Sequence, residues 1–202
     1  MRQHVNPFHF VREVVPPDWR AVFPHPDQPL EVDVGCGNGE YLLARAAALP
    51  DRNHVGLEIR PVLVERLQAR IAADGLTNAA VVLCNANASF DALFAPGSLA
   101  RVAVHFPDPW FKARHHKRRL VNPAFVDALA RALAPGGLFD FMTDFAAYAE
   151  GVVAALEVHP AFENPHGPGA PAPAEPERLL SHRERAHLAK GDAVHRWAWR
   201  RR

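Results

Sequence analysis

Cysteine is scarce in this chain: Cys36 and Cys84 are the whole supply in 202 residues. Two thiols argue against a disulfide scaffold and against a thiolate metal centre. Long apolar runs are missing as well. No stretch approaches the roughly 18 residues that cross a bilayer, and the start, "MRQHVNPFHF", has no apolar signal-peptide core. The expected compartment is the cytoplasm, with no membrane attachment. Twelve histidines are present, but there is no HExxH and no Cys/His pairing at ligand spacing. No metal site is expected; solvated and packing roles account for them. Net charge is nearly absent too, 23 Lys and Arg against 22 Asp and Glu. That balance hides segregation, because cations crowd into residues 112–119 and into the terminal "WAWRRR".

What is present is ordinary for a globular chain, 49% hydrophobic and 22% charged, and long enough to bury a single core. Residues 1–29 are broken by six prolines and predict an irregular arm. From residue 30 to 202 the pattern is that of one domain. Short apolar runs at 30–34, 54–59, 79–84, 99–106 and 138–142 predict strands. Between and after them, periodic stretches at 40–49, 61–75, 123–134 and 145–159 predict helices, one opening on Pro61 and closing at Gly75. This alternation predicts an α/β fold: a Rossmann-like, doubly wound, mostly parallel seven-stranded sheet, with the aromatic C-terminal strand returning antiparallel at the edge. Within the domain, "NPHGPGAPAPAEPER" (164–178) is rich in Pro, Gly and Ala and reads as a mobile loop.

In doubly wound sheets ligands sit beyond the carboxyl ends of the strands. After the first strand comes "DVGCGNGE", where Gly35, Gly37 and Gly39 allow a tight turn and close ligand approach. The spacing is GxGxG rather than the dinucleotide GxGxxG, and the fifth position after Gly35 is Glu40. A carboxylate there, with Asp33 just upstream, suits a cofactor carrying positive charge better than a pyrophosphate. S-adenosylmethionine, with a sulfonium and an ammonium, is the natural candidate. Glu58 ends the second strand, where a carboxylate can accept hydrogen bonds from ribose hydroxyls. After the third strand, either Asn85 or Asn87 can meet an adenine edge.

The fourth strand runs into "FPDPWFKARHHKRRL" (106–120). Pro107 and Pro109 restrict the backbone on both sides of Asp108, a way to hold a carboxylate in one orientation. Trp110 can shield the site, stack on a base or pack in the core. Lys112, Arg114, Lys117, Arg118 and Arg119, with His115 and His116 between them, form a phosphate-binding run beside that acid.

This segment closely resembles the signature of bacterial tRNA (guanine-N7)-methyltransferases. The resemblance extends to "RQHVNP", "DVGCGNG", "GLE", "MTD" (142–144), "SHRE" (181–184) and "VHRWAWRR". It implies transfer of a methyl group from S-adenosylmethionine to N7 of a guanosine in the tRNA variable loop. It further implies cofactor contacts at Asp33, Glu58 and Asp108, with Asp108 also catalytic. Substrate contacts are implied at Lys112, Asp144, and Ser181 to Glu184, and an RNA-binding segment over Arg114, His115, His116, Lys117, Arg118 and Arg119. Tha chain departs from the family in having Asn rather than Asp after the third strand, Ser181 for the usual Thr, and the Pro-rich insert. The partner implied is tRNA, with no obligatory protein partner evident. The rival readings are a nonenzymatic RNA-binding protein, a methyltransferase for another RNA or a small molecule, and a nicotinamide oxidoreductase, which the glycine spacing disfavours.

Overall fold

The computed structural model describes residues 5–10, 12–173 and 179–202. The first four residues of the predicted arm, residue 11, and the 174–178 part of the Pro-rich stretch lie outside the described residues. The strands are β1 (Leu30–Val34), β2 (Asn53–Glu58), β3 (Ala79–Leu83), β4 (Leu99–His105), β5 (Leu133–Thr143), β6 (Phe162–Glu163) and β7 (His195–Arg201). The helices are α1 (Trp19–Val22), α2 (Glu40–Ala48), α3 (Pro61–Ala73), α4 (Ala86–Leu93), α5 (Pro123–Ala132), α6 (Ala146–Glu157) and α7 (His182–Ala189).

The seven strands form one sheet in the order β3-β2-β1-β4-β5-β7-β6. Strands β3 to β5 are mutually parallel, and β7 runs antiparallel to β5. The two-residue β6 lies outside β7, so the antiparallel aromatic strand is one in from the edge. Its Trp199 is fully buried and stacks on Phe139 with centroids 5.9 Å apart, which ties the C-terminus into the main core. Strand order reverses between β1 and β4, so the crevice beyond their carboxyl ends is where a ligand fits.

Three elements differ from the sequence expectation for local reasons. Helix α4 follows β3 directly, capped by Asn85, whose side-chain oxygen accepts from the Asn87 amide. Its buried Ala86, Phe90 and Leu93 carry a helical period that was there to be read. Strand β5 starts at Leu133 instead of 138, because the Pro-Gly-Gly stretch loops out where the register against β4 shifts. The arm is not wholly irregular: besides α1, it contains a 3₁₀ turn at Pro7–His9. The described part of the Pro-rich loop is irregular, yet it is held by hydrogen bonds. Ala172 N–H donates to Arg196 O (2.9 Å), Trp197 Nε1–H to Gly169 O (3.3 Å), and Asn164 Nδ2 to Ala170 O (3.0 Å). Proline and glycine preclude a packed element there but do not preclude docking on β7.

Candidate active site

Three adjoining cavities run along the carboxyl ends of β3, β2, β1 and β4, and Gly35 borders all of them. The first, 140 Å³, is lined by Leu57, Ile59, Cys84, Asn85, Ala86, Asn87, Asp108 and Trp110, with Val5 and Pro7 from the arm. The middle one, 100 Å³, lies between Glu58, Arg60, His105 and Asp108. The third, 540 Å³, opens between the glycine loop and α7.

The three glycines divide their work. Each has positive φ, from 59° to 77°. A Cβ on Gly35 would meet nothing within 4 Å, so the space beside it is open to a ligand. A Cβ on Gly39 would sit 2.3 Å from Leu67 Cδ1: this glycine is buried, caps α2 and seats that helix on α3. Gly35 and Gly37 line the cleft and Gly39 does not.

Asp33, at the end of β1, is only 6% exposed. Burial, reinforced by repulsion from Glu58 and partly offset by Arg45, pushes its carboxyl up to about 7. A buried acid held there gains most from a cation arriving beside it. Glu58 is buried and fully engaged. Its Oε1 accepts from the Ile59 and Arg60 amides (2.9 and 3.0 Å) and from Arg60 Nε (2.9 Å). Its Oε2 accepts from the Gly37 amide (2.9 Å) and Arg60 Nη2 (3.0 Å). These bonds fix the carboxylate in the middle cavity and tie the glycine loop to β2.

Asn85 and Asn87 both line the first cavity. Asn85 Nδ2 donates to Pro7 O (3.0 Å), so the arm closes over this end of the cleft. Asn87 Oδ1 accepts from Asn122 (3.1 Å). Asn85 stands directly at the end of β3; Asn87 lies farther out, toward the basic segment.

Asp108 sits in a turn under strain. Phe106 (φ 51°) and Trp110 (φ 44°) are the non-glycine residues with positive φ among the described residues. Such a conformation costs about 1–3 kcal/mol each and persists only where neighbours over-determine it. Here they do. Phe106 N–H donates to Met142 O (2.7 Å), Arg119 Nε donates to Pro109 O (2.9 Å), and the Arg118 guanidinium lies 5.0 Å over Trp110. Trp110 is thus a half-buried cavity wall rather than a core residue.

The basic segment forms a 3₁₀ stretch, Ala113–Arg118, and its charges face two ways. Lys112, Arg114, His116 and Lys117 are exposed, and His115 is half-buried, edge-on to Trp110. Lys117 Nζ lies 5.8 Å from the Phe8 ring of the arm. Arg118 and Arg119 turn inward; Arg119 also lies 4.7 Å over the buried Tyr148.

Ser181 and Glu184 have a local role that the motif alone did not reveal. Ser181 Oγ accepts from the Glu184 amide (3.2 Å) and so caps the start of α7. The Glu184 side chain is fully buried and accepts from Arg196 of β7 at 2.7 and 3.0 Å. Ser181 borders the third cavity; Glu184 does not. Removing one partner of a buried pair leaves the other charge uncompensated, at a cost of about 3–5 kcal/mol. Glu184→Ala therefore lowers unfolding stability by that amount in denaturant titration. An unchanged midpoint with a raised KM for RNA would make Glu184 a substrate contact instead. Asp144, at the end of β5, accepts from Arg183 Nη2 (2.8 Å) and lies 3.2 Å from His187 Nε2.

The cleft also uses residues that no sequence motif marked, Arg60, His105, Tyr41, His187 and Lys190, beside Arg183 of the SHRE motif and Val5 and Pro7 of RQHVNP. Proximity to strand ends could have flagged Arg60 and His105. The α7 residues could not be placed without knowing that Arg185 pairs with Glu40 (2.6 Å), 145 positions away.

Residues 27–197 match the family described as "Putative methyltransferase". The chain is 42% identical over 204 residues to a tRNA (guanine-N(7)-)-methyltransferase of Synechococcus sp. (strain JA-3-3Ab), covering 100% of this chain and 86% of that protein. It is 45% identical over 186 residues to the protein of that name from Anaeromyxobacter dehalogenans (strain 2CP-C), covering 92% of each. The chain belongs to the tRNA (guanine-N(7)-)-methyltransferase family. The crystal structure of precorrin-6y C5,15-methyltransferase from Geobacter metallireducens GS-15 superposes with a TM-score of 0.58 at 17% identity, over 87% of this chain and 82% of that one. This is a likeness of fold. No helix among the described residues is long and apolar enough to cross a membrane.

Proposed function

We propose that this methyltransferase transfers the methyl group of S-adenosylmethionine to N7 of a guanosine in the variable loop of tRNA, in the cytoplasm. The observation that carries the reading is the strained turn holding Asp108 between the cofactor cleft and an outward-facing run of cations.

The residues present fit the cofactor. The open face of Gly35 leaves room for it, Asp33 offers a buried carboxylate for its cationic end, and Glu58 reaches ribose hydroxyls where these replace the half-exposed Arg60 guanidinium on its oxygens. Ile59, Ala86 and Leu57 give the first cavity apolar walls suited to adenine, with Asn85 and Asn87 at its rim. When bound, S-adenosylmethionine supplies a methyl group activated by an adjacent sulfonium. Guanine N7 has a lone pair and no proton, so no residue need act as a base. The protein's part is alignment and electrostatics. Asp108 faces the positive charge that develops on the guanine ring, or positions the base through its N–H edge. Trp110, Val5 and Pro7 keep water from that end of the cleft. Lys112, Arg114 and Lys117 hold RNA phosphates, Ser181 and α7 form the outer wall, and Asp144 orders that wall.

Asp33 makes cofactor binding depend on pH. With its carboxyl raised to about 7, the empty protein favours the neutral acid, and the folding stability linked to this group is lost as pH rises through that value. A bound cation favours the carboxylate. Binding therefore releases a proton, and Kd tightens by about tenfold between pH 6 and pH 8. Calorimetry in two buffers of different ionisation enthalpy measures both; a pH-independent Kd with no proton release removes Asp33 from the cation site.

The function itself is tested by incubating the protein with unmodified tRNA and labelled S-adenosylmethionine, followed by nucleoside mass spectrometry. Labelled 7-methylguanosine is the expected product. Cofactor binding with no methylated nucleoside would reject tRNA as the acceptor, and a different methylated base would reject N7.

A further inference from the structure

We infer that His187 of α7 is a positioning residue for methyl transfer, acting through Phe106 on the turn that carries Asp108. The inference rests on the role proposed for Asp108.

Phe106 is where β4 ends and the strained turn begins. Its backbone is left-handed, its amide is still bonded to Met142 of β5, and its side chain is 3% exposed. What covers the ring is α7. The His187 imidazole stacks on it with centroids 5.4 Å apart and planes 14° from parallel, and the Arg183 guanidinium lies 5.4 Å from its centroid. A phenylalanine in this conformation has ready access to the ordinary extended region, into which the chain relaxes unless the ring is held. Such a relaxation would swing Pro107 and Asp108 together, since the proline ring leaves little freedom between them.

His187 is itself fixed at both nitrogens. Nδ1 bonds to Asp192 Oδ2 (2.9 Å), just beyond the end of α7, and Nε2 accepts from Arg183 Nε (3.4 Å) while lying 3.2 Å from Asp144 Oδ2 at the end of β5. Asp144 also takes Arg183 Nη2 at 2.8 Å. The imidazole is a plate held between Asp192 on one side and the Arg183–Asp144 pair on the other, with one face against Phe106. This geometry gives Asp144 a task on the protein itself: it orients the two side chains that cover the ring. The helix is anchored at its other flank by Arg185 on Glu40, so α7 spans from the glycine loop to the Asp108 turn. Phe106, Arg183 and His187 all border the 540 Å³ cavity, which Asp33 and the glycine loop line from the other side.

The test compares His187→Ala, which removes the plate, with His187→Phe, which keeps an aromatic ring and discards both carboxylate contacts. Single-turnover formation of 7-methylguanosine is measured at saturating tRNA and S-adenosylmethionine, with separate Kd values for each and the melting temperature. His187→Ala is expected to slow transfer by about 10–100-fold, the scale of a small misplacement of a reacting group, with both Kd values within about twofold of the parent. His187→Phe is expected to return the rate to within about threefold. Asp192→Asn, on the exposed side of the plate, serves as the milder probe if the alanine variant does not fold, with an expected loss of about two- to threefold. An unchanged rate in His187→Ala overturns the inference. So does a loss confined to tRNA affinity, which would make His187 an RNA contact, or a phenylalanine variant as slow as the alanine one. Failure of the parent protein to make 7-methylguanosine would overturn the assignment of function instead.

Discussion

Asp108→Asn lowers kcat by about 10²–10³ while leaving the fold and cofactor binding largely intact. The magnitude is that of losing one preorganised electrostatic group in a water-poor site. Asparagine keeps the shape of aspartate, and the turn has holds besides that side chain. It is set by Pro107 and Pro109, by the Phe106 amide on Met142, and by Arg119 on Pro109. The charge is what disappears. Because the guanine ring becomes cationic as N7 is alkylated, the loss falls on the transition state and appears in kcat more than in KM. Single-turnover rates with pre-bound tRNA isolate that step. A variant with near-parental turnover would reduce Asp108 to a structural residue. A variant that loses cofactor affinity with an unchanged saturated rate would assign it to cofactor binding alone.

Binding to tRNA should weaken steeply with salt, but less steeply than the sequence suggests. Five Lys and Arg residues crowd into 112–119, and five phosphate contacts would give a logarithmic slope of about −4.5 at the duplex value of −0.9 per contact. Arg118 lies on Trp110 and Arg119 is committed to Pro109 and Tyr148, leaving Lys112, Arg114 and Lys117 turned outward. Three contacts give a slope of about −2.7, a loss of about 40-fold in affinity between 50 and 200 mM salt. Filter binding across that range measures it. A slope near −4.5 would mean that both inward arginines leave their places for RNA, and a flat response would remove the phosphate clamp altogether. Arg119→Ala separates the cases further. On the present geometry it loosens the turn and lowers the rate without changing the slope.

The order of strands and helices was legible in the sequence because it rests on local chemistry: alternating apolar runs, prolines at helix starts, glycines at ends. The position of the glycine loop, Glu58 and Asp108 at successive strand ends followed from the same reading, since a parallel sheet puts those ends on one side. Helix α4 is equally local: Asn85, one of the two asparagines expected at an adenine edge, caps it.

Other assignments needed the tertiary structure. The motif Ser181 to Glu184 reads the same whether its acid meets substrate or protein, and only the arrival of Arg196 from β7 decides that Glu184 is buried. Gly39 is spaced like Gly35 and Gly37, yet it is Leu67 of the next helix that makes it a packing residue. Whether an arginine in a basic run faces solvent depends on Tyr148 and Trp110, not on its neighbours in the run. The sequence by itself determined the α/β order, the glycine loop and the acid between two prolines, because these depend on torsions and periodicities within a few residues. The tertiary structure decided which of those side chains face the cleft and which hold it open. That choice is made by burial and ion pairing between residues far apart in the chain, and local pattern carries no record of such partners.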